Sequence, residues 1–139
     1  YFMSEMDQKL PAEQICLCEN PTPKDIAAFM VRVLAAKRGR DLNLLHVENR
    51  TIIADYFVLC TGSSTTQVSS LSDEVEYRLS QYGIRPLHTE GKRGDTWILT
   101  DYGSVILHVF NAEQRDFYKL EKLYDEGSAV DISSLLSED

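Results

Sequence analysis

Hydrophobic residues recur at helical spacing in two long stretches and crowd into short runs between them. Ile26, Phe29, Met30, Val33 and Leu34 fall on one face of a first helix. Thr22-Pro23-Lys24-Asp25 is its start: Thr caps, Pro occupies the first turn, and Asp favours the positive end of the dipole. Gly39 is placed to end that helix as a left-handed stop. Leu42, Leu44 and Leu45-His46-Val47 read as a first strand, followed by a turn at Asn49-Arg50. Tyr56-Phe57-Val58-Leu59-Cys60 is a continuous apolar run, the pattern of a strand covered on both faces. Thr61-Gly62-Ser63 turns the chain into Ser64-Thr65-Thr66-Gln67, which matches a capping box. Val68, Leu71, Val75, Leu79 and Tyr82 make the buried stripe of a second helix that Gly83 ends.

The last third is strand, loop, hairpin and helix. Ile84 to Thr89 forms a short strand, with Pro86 placing it near an edge or a strand start. Glu90-Gly91-Lys92-Arg93-Gly94-Asp95 is a polar loop. Two strands follow, from Trp97 and from Val105 to Phe110, with Gly103 supplying positive φ in the turn between them. Asn111 to Gln114 repeats the capping logic, and Phe117, Leu120 and Tyr124 dock a last helix. The element order implies one α/β domain around a mixed sheet of about five strands flanked by helices. Residues 1–22 read as a flexible leader, residues 23–126 as the domain, and residues 127–139 as an acidic tail. Tyr1-Phe2, ahead of Met3, read as a tag scar.

Composition then limits the function classes. The chain has 139 residues, 43% of them hydrophobic and 26% charged, the profile of an ordinary soluble domain. No run approaches the roughly 18 apolar residues that span a membrane. The formal charge is −8, which repels a phosphate backbone and disfavours direct nucleic-acid binding. The same field suits a basic protein partner. Cys16, Cys18 and Cys60 are odd in number and lack framework spacing, which points to a reducing cytoplasm. Cys16-x-Cys18 has no further donors nearby to complete a metal site.

Each candidate chemistry has a plainer reading beside it. Gly62-Ser63 followed by Asp73, Glu74 and Glu76 resembles the opening of a nucleotidyltransferase site, whose metal sits on carboxylates projecting from a strand. Here those carboxylates fall inside the second helix, between Leu71, Val75 and Leu79, and read as a solvated face. Ser63-Ser64-Thr65-Thr66 lacks the Lys and glycines of a phosphate loop and reads as helix capping. Cys60 is a core thiol within an apolar strand, and His46 and His88 have no motif around them. His108, alternating with Val109, points to one face of its strand as a structural histidine. Trp97 is either a half-buried core residue with its indole N–H satisfied or a binding anchor, since Trp is enriched among interface hot spots. Asp101-Tyr102-Gly103 is first a turn and second a contact surface.

The ordered set Asp55-Tyr56-Phe57-Val58-Leu59-Cys60-Thr61-Gly62-Ser63-Ser64, Gln67-Val68, Glu90-Gly91, Trp97, Asp101-Tyr102-Gly103, His108-Val109-Phe110, Arg115 and Tyr118-x-Leu120-Glu121-x-Leu123 resembles the ribosomal silencing factor family, also called RsfS or Iojap. The match runs from about Asp25 to Tyr124. It departs at His46, where the family usually has an acid, at Ser104, where it has Asp, and at Tyr124, where it has Trp. The resemblance implies a fold shaped like a nucleotidyltransferase without its active site, no cofactor and no enzymatic role. It implies binding to ribosomal protein fourteen on the large subunit, steric blocking of the small subunit when nutrients are scarce, and a homodimer when free. Large-subunit assembly, the role of organellar relatives, is the alternative, and a nucleotidyltransferase-like enzyme is a weaker one. With the family in view, the expected anchors are Trp97 and Ile98, flanked by Tyr102 and Tyr118. Glu90, Asp95 and Asp101 are expected to meet Lys or Arg of the basic partner.

Overall fold

The computed structural model describes residues 15–47, 54–91, 94–118 and 130–133. Elements follow in the order α1 (Pro23–Ala36), β1 (Arg40–His46), β2 (Tyr56–Gly62), α2 (Thr65–Ser80), β3 (His88–Glu90), β4 (Trp97–Asp101), β5 (Val105–Asn111) and α3 (Ala112–Tyr118). The five strands form one mixed sheet, as the element order implies, and their order within it is β1-β2-β5-β4-β3. β2 and β5 lie side by side and parallel at its centre, and every other pairing is antiparallel. Their central place explains their continuous apolar runs, because neither face of either strand is left to solvent.

Residues of opposite parity on each strand feed two separate cores. On the first face, Val58 and Cys60 of β2 and Val105, Leu107 and Val109 of β5 pack against Met30, Val33 and Leu34 of α1 and Val68, Leu71 and Val75 of α2. On the second face, Leu45, Phe57, Leu59, Ile106 and Phe110 cluster with the half-buried Trp97 and Leu99. α3 reaches that face through Arg115, whose guanidinium lies 5.8 Å from the Phe110 ring centroid. Arg115 donates to Thr61 Oγ1 at 2.9 Å and to the Asp41 carbonyl, so it ties the end of β2 to the irregular start of β1.

The caps expected at Thr22 and Asn111 form, and the capping box expected at Ser64 forms only in part. Thr22 Oγ1 accepts from the Asp25 N–H, and the Asp25 carboxylate accepts from the Thr22 N–H, which closes a capping box. Ser64 Oγ accepts from the Gln67 N–H at 3.1 Å, but the Gln67 side chain reaches past the cap to the Ser63 N–H. Asn111 Oδ1 accepts from the Gln114 N–H at 2.9 Å.

Several expectations change. The left-handed residue after α1 is Arg38, at φ 68°, not Gly39. Gly39 is required for a different reason: a Cβ there would stand 2.5 Å from Cys60 Sγ, so the chain passes too close to β2 for any side chain. Gly103 does adopt positive φ, at 94°. Tyr82 lies beyond the end of α2 and is 43% exposed rather than part of the buried stripe. It sets its ring edge-on to Phe29 and accepts the Leu17 N–H on its hydroxyl. The β3 strand is three residues long, and Ile84 to Leu87 lead into it without pairing as a strand.

The end of the segment read as a leader is seated on the domain. Ile15 is 2% exposed in the first core, and its carbonyl accepts from the Arg78 guanidinium at 2.9 Å. Within the acidic tail, the Val130 N–H donates to the Leu44 carbonyl at 2.8 Å, and Val130 and Ile132 pack on the first core. The expected turn at Asn49-Arg50, the loop residues Lys92 and Arg93, and Leu120 and Tyr124 lie outside the described residues, as do the side chains of Phe117 and Tyr118.

Candidate functional site

β4 presents its odd-numbered and even-numbered residues to different surroundings. Trp97, Leu99 and Asp101 face the second core, whereas Ile98 and Thr100 face the helices. Ile98 is 5% exposed and packed within the first core. The ladder therefore separates the two residues expected to act together as anchors, and it leaves Trp97 with Leu99 as the apolar pair on the second face. Tyr102 also packs on the first core, and its hydroxyl is buried without a hydrogen-bond partner. Burial pushes its phenol above its ordinary pKa, and the nearby Glu76 carboxylate adds to the shift.

Two of the expected acidic contacts join Trp97 by register. Glu90 stands opposite Leu99 and His88 opposite Asp101, and directly paired residues of antiparallel strands share a face. The β3–β4 ribbon thus carries Trp97, Leu99, Asp101, Glu90 and His88 on one side. Glu90 and His88 are both exposed, with His88 Nε2 3.0 Å from a Glu90 carboxylate oxygen. Asp101 has a second task, because its Oδ1 accepts the Gly103 N–H at 2.7 Å and so fixes the hairpin turn. Asp95 is half-buried just ahead of β4. Tyr118 ends α3, with its side chain outside the described residues.

Beneath this surface lies His108, whose part the sequence pattern reads as structural only. His108 of β5 stands opposite Leu99, and its Nδ1 accepts the Trp97 indole N–H at 3.3 Å. Burial lowers its pKa to about 4, so the ring is neutral at pH 7. An accepting Nδ1 places the ring proton on Nε2. The sequence signal was a polar residue inside an apolar strand two positions from Phe110, and the diagonal step from Trp97 to His108 needs the ladder register to be seen.

The remaining chemistry-bearing residues are dispersed. Asp73, Glu74 and Glu76 lie on α2, where Glu74 pairs with Arg78 one turn on at 3.8 Å. Gly62 is required sterically, since a Cβ there would come within 2.9 Å of the Val68 side chain at the start of α2. Cys60 is buried, and burial pushes its thiol up to about 12. His46 stacks on Tyr56 at 4.7 Å. Cys16 and Cys18 are exposed, with Cys18 Sγ 3.4 Å from the Asp25 carboxylate. Among the described residues, no group of three or more His, Cys, Asp or Glu side chains is placed to hold a metal ion, and no helix is long and apolar enough to cross a membrane.

Fold and surface together define a helix-backed mixed α/β domain whose second sheet face ends in an aromatic and acidic edge. A family model described as ribosomal silencing factor during starvation matches residues 20–139. The chain belongs to this ribosomal silencing factor family. It is 35% identical over 109 residues to the ribosomal silencing factor RsfS of Bacillus subtilis, covering 78% of this chain and 92% of that protein. It is 30% identical to the mouse protein named mitochondrial assembly of ribosomal large subunit protein 1, over 69% of this chain and 43% of that one. A crystal structure of a Chromobacterium violaceum protein superposes with a TM-score of 0.71 at 27% identity, covering 84% of this chain and 99% of the other.

Proposed function

We propose that this chain binds the large ribosomal subunit through ribosomal protein fourteen and thereby blocks joining of the small subunit when nutrients are limiting. The observation that carries this reading is the single Trp of the chain, half-buried on the same sheet face as Glu90 and Asp101. A large aromatic beside carboxylates is the composition of a hot spot for a basic protein surface. The formal charge of −8 favours fast encounter with such a partner. Trp97 is the apolar anchor, Glu90, Asp95 and Asp101 meet Lys or Arg of the partner, and Tyr118 flanks the contact, whereas Tyr102, packed on the first core with its hydroxyl buried, does not reach it. Ile98 supports this edge from the core side and does not touch the partner. The mechanism is steric exclusion, with no catalytic step and no cofactor. The free protein is a cytoplasmic homodimer in this reading.

A role in large-subunit assembly is the second reading, favoured by the name of the mouse relative. Co-sedimentation with separated ribosomal subunits tests the first. The protein is expected to travel with large subunits and to lower the yield of joined ribosomes when small subunits are added. Binding to small subunits alone would overturn the proposal. Binding to large subunits with no effect on joining would favour assembly.

A further inference from the structure

The Trp97 indole is held by a residue that no partner would touch. In the β4–β5 ladder Trp97 stands opposite Phe110, and His108 stands opposite Leu99. The indole crosses diagonally, donating its N–H to His108 Nδ1 at 3.3 Å with ring centroids 5.9 Å apart. Its ring also lies 5.5 Å from that of Phe110, at an interplanar angle of 39°. His108 is itself fixed on this face: it is 5% exposed, meets Phe57 edge-on at 5.3 Å and stacks near Phe110 at 6.3 Å.

We propose that His108 is a positioning residue, whose Nδ1 holds the Trp97 indole in one orientation on the second sheet face before any partner arrives. The proposal rests on the reading of Trp97 as the anchor. A Trp at a strand start beside a loop samples several rotamers unless something selects one, and ordering it upon binding weakens affinity. Here the hydrogen bond to His108 and the Phe110 contact select one orientation without a partner. An apolar residue at position 108 would keep the packing and lose the acceptor. The neutral ring is what makes the bond work, because a protonated imidazole has two donors and no acceptor to offer an indole N–H.

The chain has one Trp, so its indole gives a single N–H resonance in nuclear magnetic resonance spectra. His108→Phe is expected to shift that resonance towards the position of a non-bonded indole and to speed its exchange with solvent. It is also expected to weaken binding to isolated large subunits about two- to tenfold, the range set by ordering one side chain. His108→Asn, whose amide oxygen can take the place of Nδ1, is expected to restore most of both. An unchanged indole resonance in His108→Phe, or equal loss in the Phe and Asn variants, would overturn the positioning role. Wild-type protein supplies a check that needs no variant: ring-nitrogen spectra are expected to show His108 as the Nε2–H tautomer, and the Nδ1–H tautomer would overturn the proposal. Trp97→Ala separates this inference from the one beneath it. If Trp97→Ala binds like wild type, the anchor reading fails and the positioning role fails with it. If Trp97→Ala weakens binding and His108→Phe does not, only the positioning role fails.

Discussion

Trp97 and Ile98 are neighbours in the chain and opposites in their surroundings. Ile98 turns towards the helices and joins an aliphatic core with Val58, Leu107 and Val109. Trp97 turns towards a face built from Phe57, Phe110, His108 and Leu99, and stays half-buried. The first face is closed by two long helices, and its buried polar groups include the Thr100 and Tyr102 hydroxyls. The second face brings a neutral imidazole, an indole N–H and the Arg115 guanidinium into its packing, and runs out to exposed carboxylates at β3. The two sides of one sheet are thus built differently: largely aliphatic volume packs against the helices, and aromatic and charged groups gather on the other face, which the proposed function uses for recognition.

Substitution on the helix face is expected to cost the most stability. Leu107→Ala removes a fully buried side chain there and is expected to cost about 2–5 kcal/mol, read as a lowered midpoint in urea unfolding. The variant that remains folded should bind large subunits as wild type does. A loss of affinity without a loss of stability would show that the faces are not separable in this way.

A smaller effect belongs to the second face and depends on pH. His108 has an ordinary pKa near 6.5, and in the fold burial lowers it to about 4. Its contribution to stability is therefore fully present above pH 6.5. It declines as pH falls below that value, because the unfolded chain takes up the proton first, and it is exhausted once pH has fallen through about 4. The whole difference is about 3 kcal/mol. Urea unfolding of wild type and His108→Asn between pH 7 and pH 4 measures it, with the variant expected to lack this component. Identical pH slopes in the two proteins would mean that His108 is not held neutral on this face.

Much of this arrangement was legible in the sequence. The helical spacing of Phe29, Met30 and Val33, the caps at Thr22, Ser64 and Asn111, and the apolar runs of β2 and β5 each follow from short-range rules that the tertiary fold does not override. The failures share a cause. Trp97-Ile98-Leu99 is apolar at every position, so no polar alternation assigned its two sides, and only the ladder with β5 sends Ile98 inward. Gly39 carries the composition of a helix stop, yet Arg38 takes the left-handed conformation because Gly39 is needed where the chain skims Cys60. Tyr82 continues the apolar stripe of α2 in spacing, but the helix ends at Ser80 and the ring serves Phe29 and the Leu17 N–H instead. The seat of Ile15 on the first core was invisible because its partner, the Arg78 guanidinium, is 63 residues away.

The two neighbours on β4 give the sharpest test of whether Trp97 anchors the ribosome contact. Affinity for isolated large ribosomal subunits is measured for wild type, Trp97→Ala and Ile98→Ala, each corrected for its folded fraction. Trp97→Ala is expected to weaken binding by about thirtyfold, the mark of a hot spot worth about 2 kcal/mol, with Ile98→Ala binding as wild type once folded. Equal affinity for wild type and Trp97→Ala, or a loss confined to Ile98→Ala, would show that the second sheet face does not carry the contact.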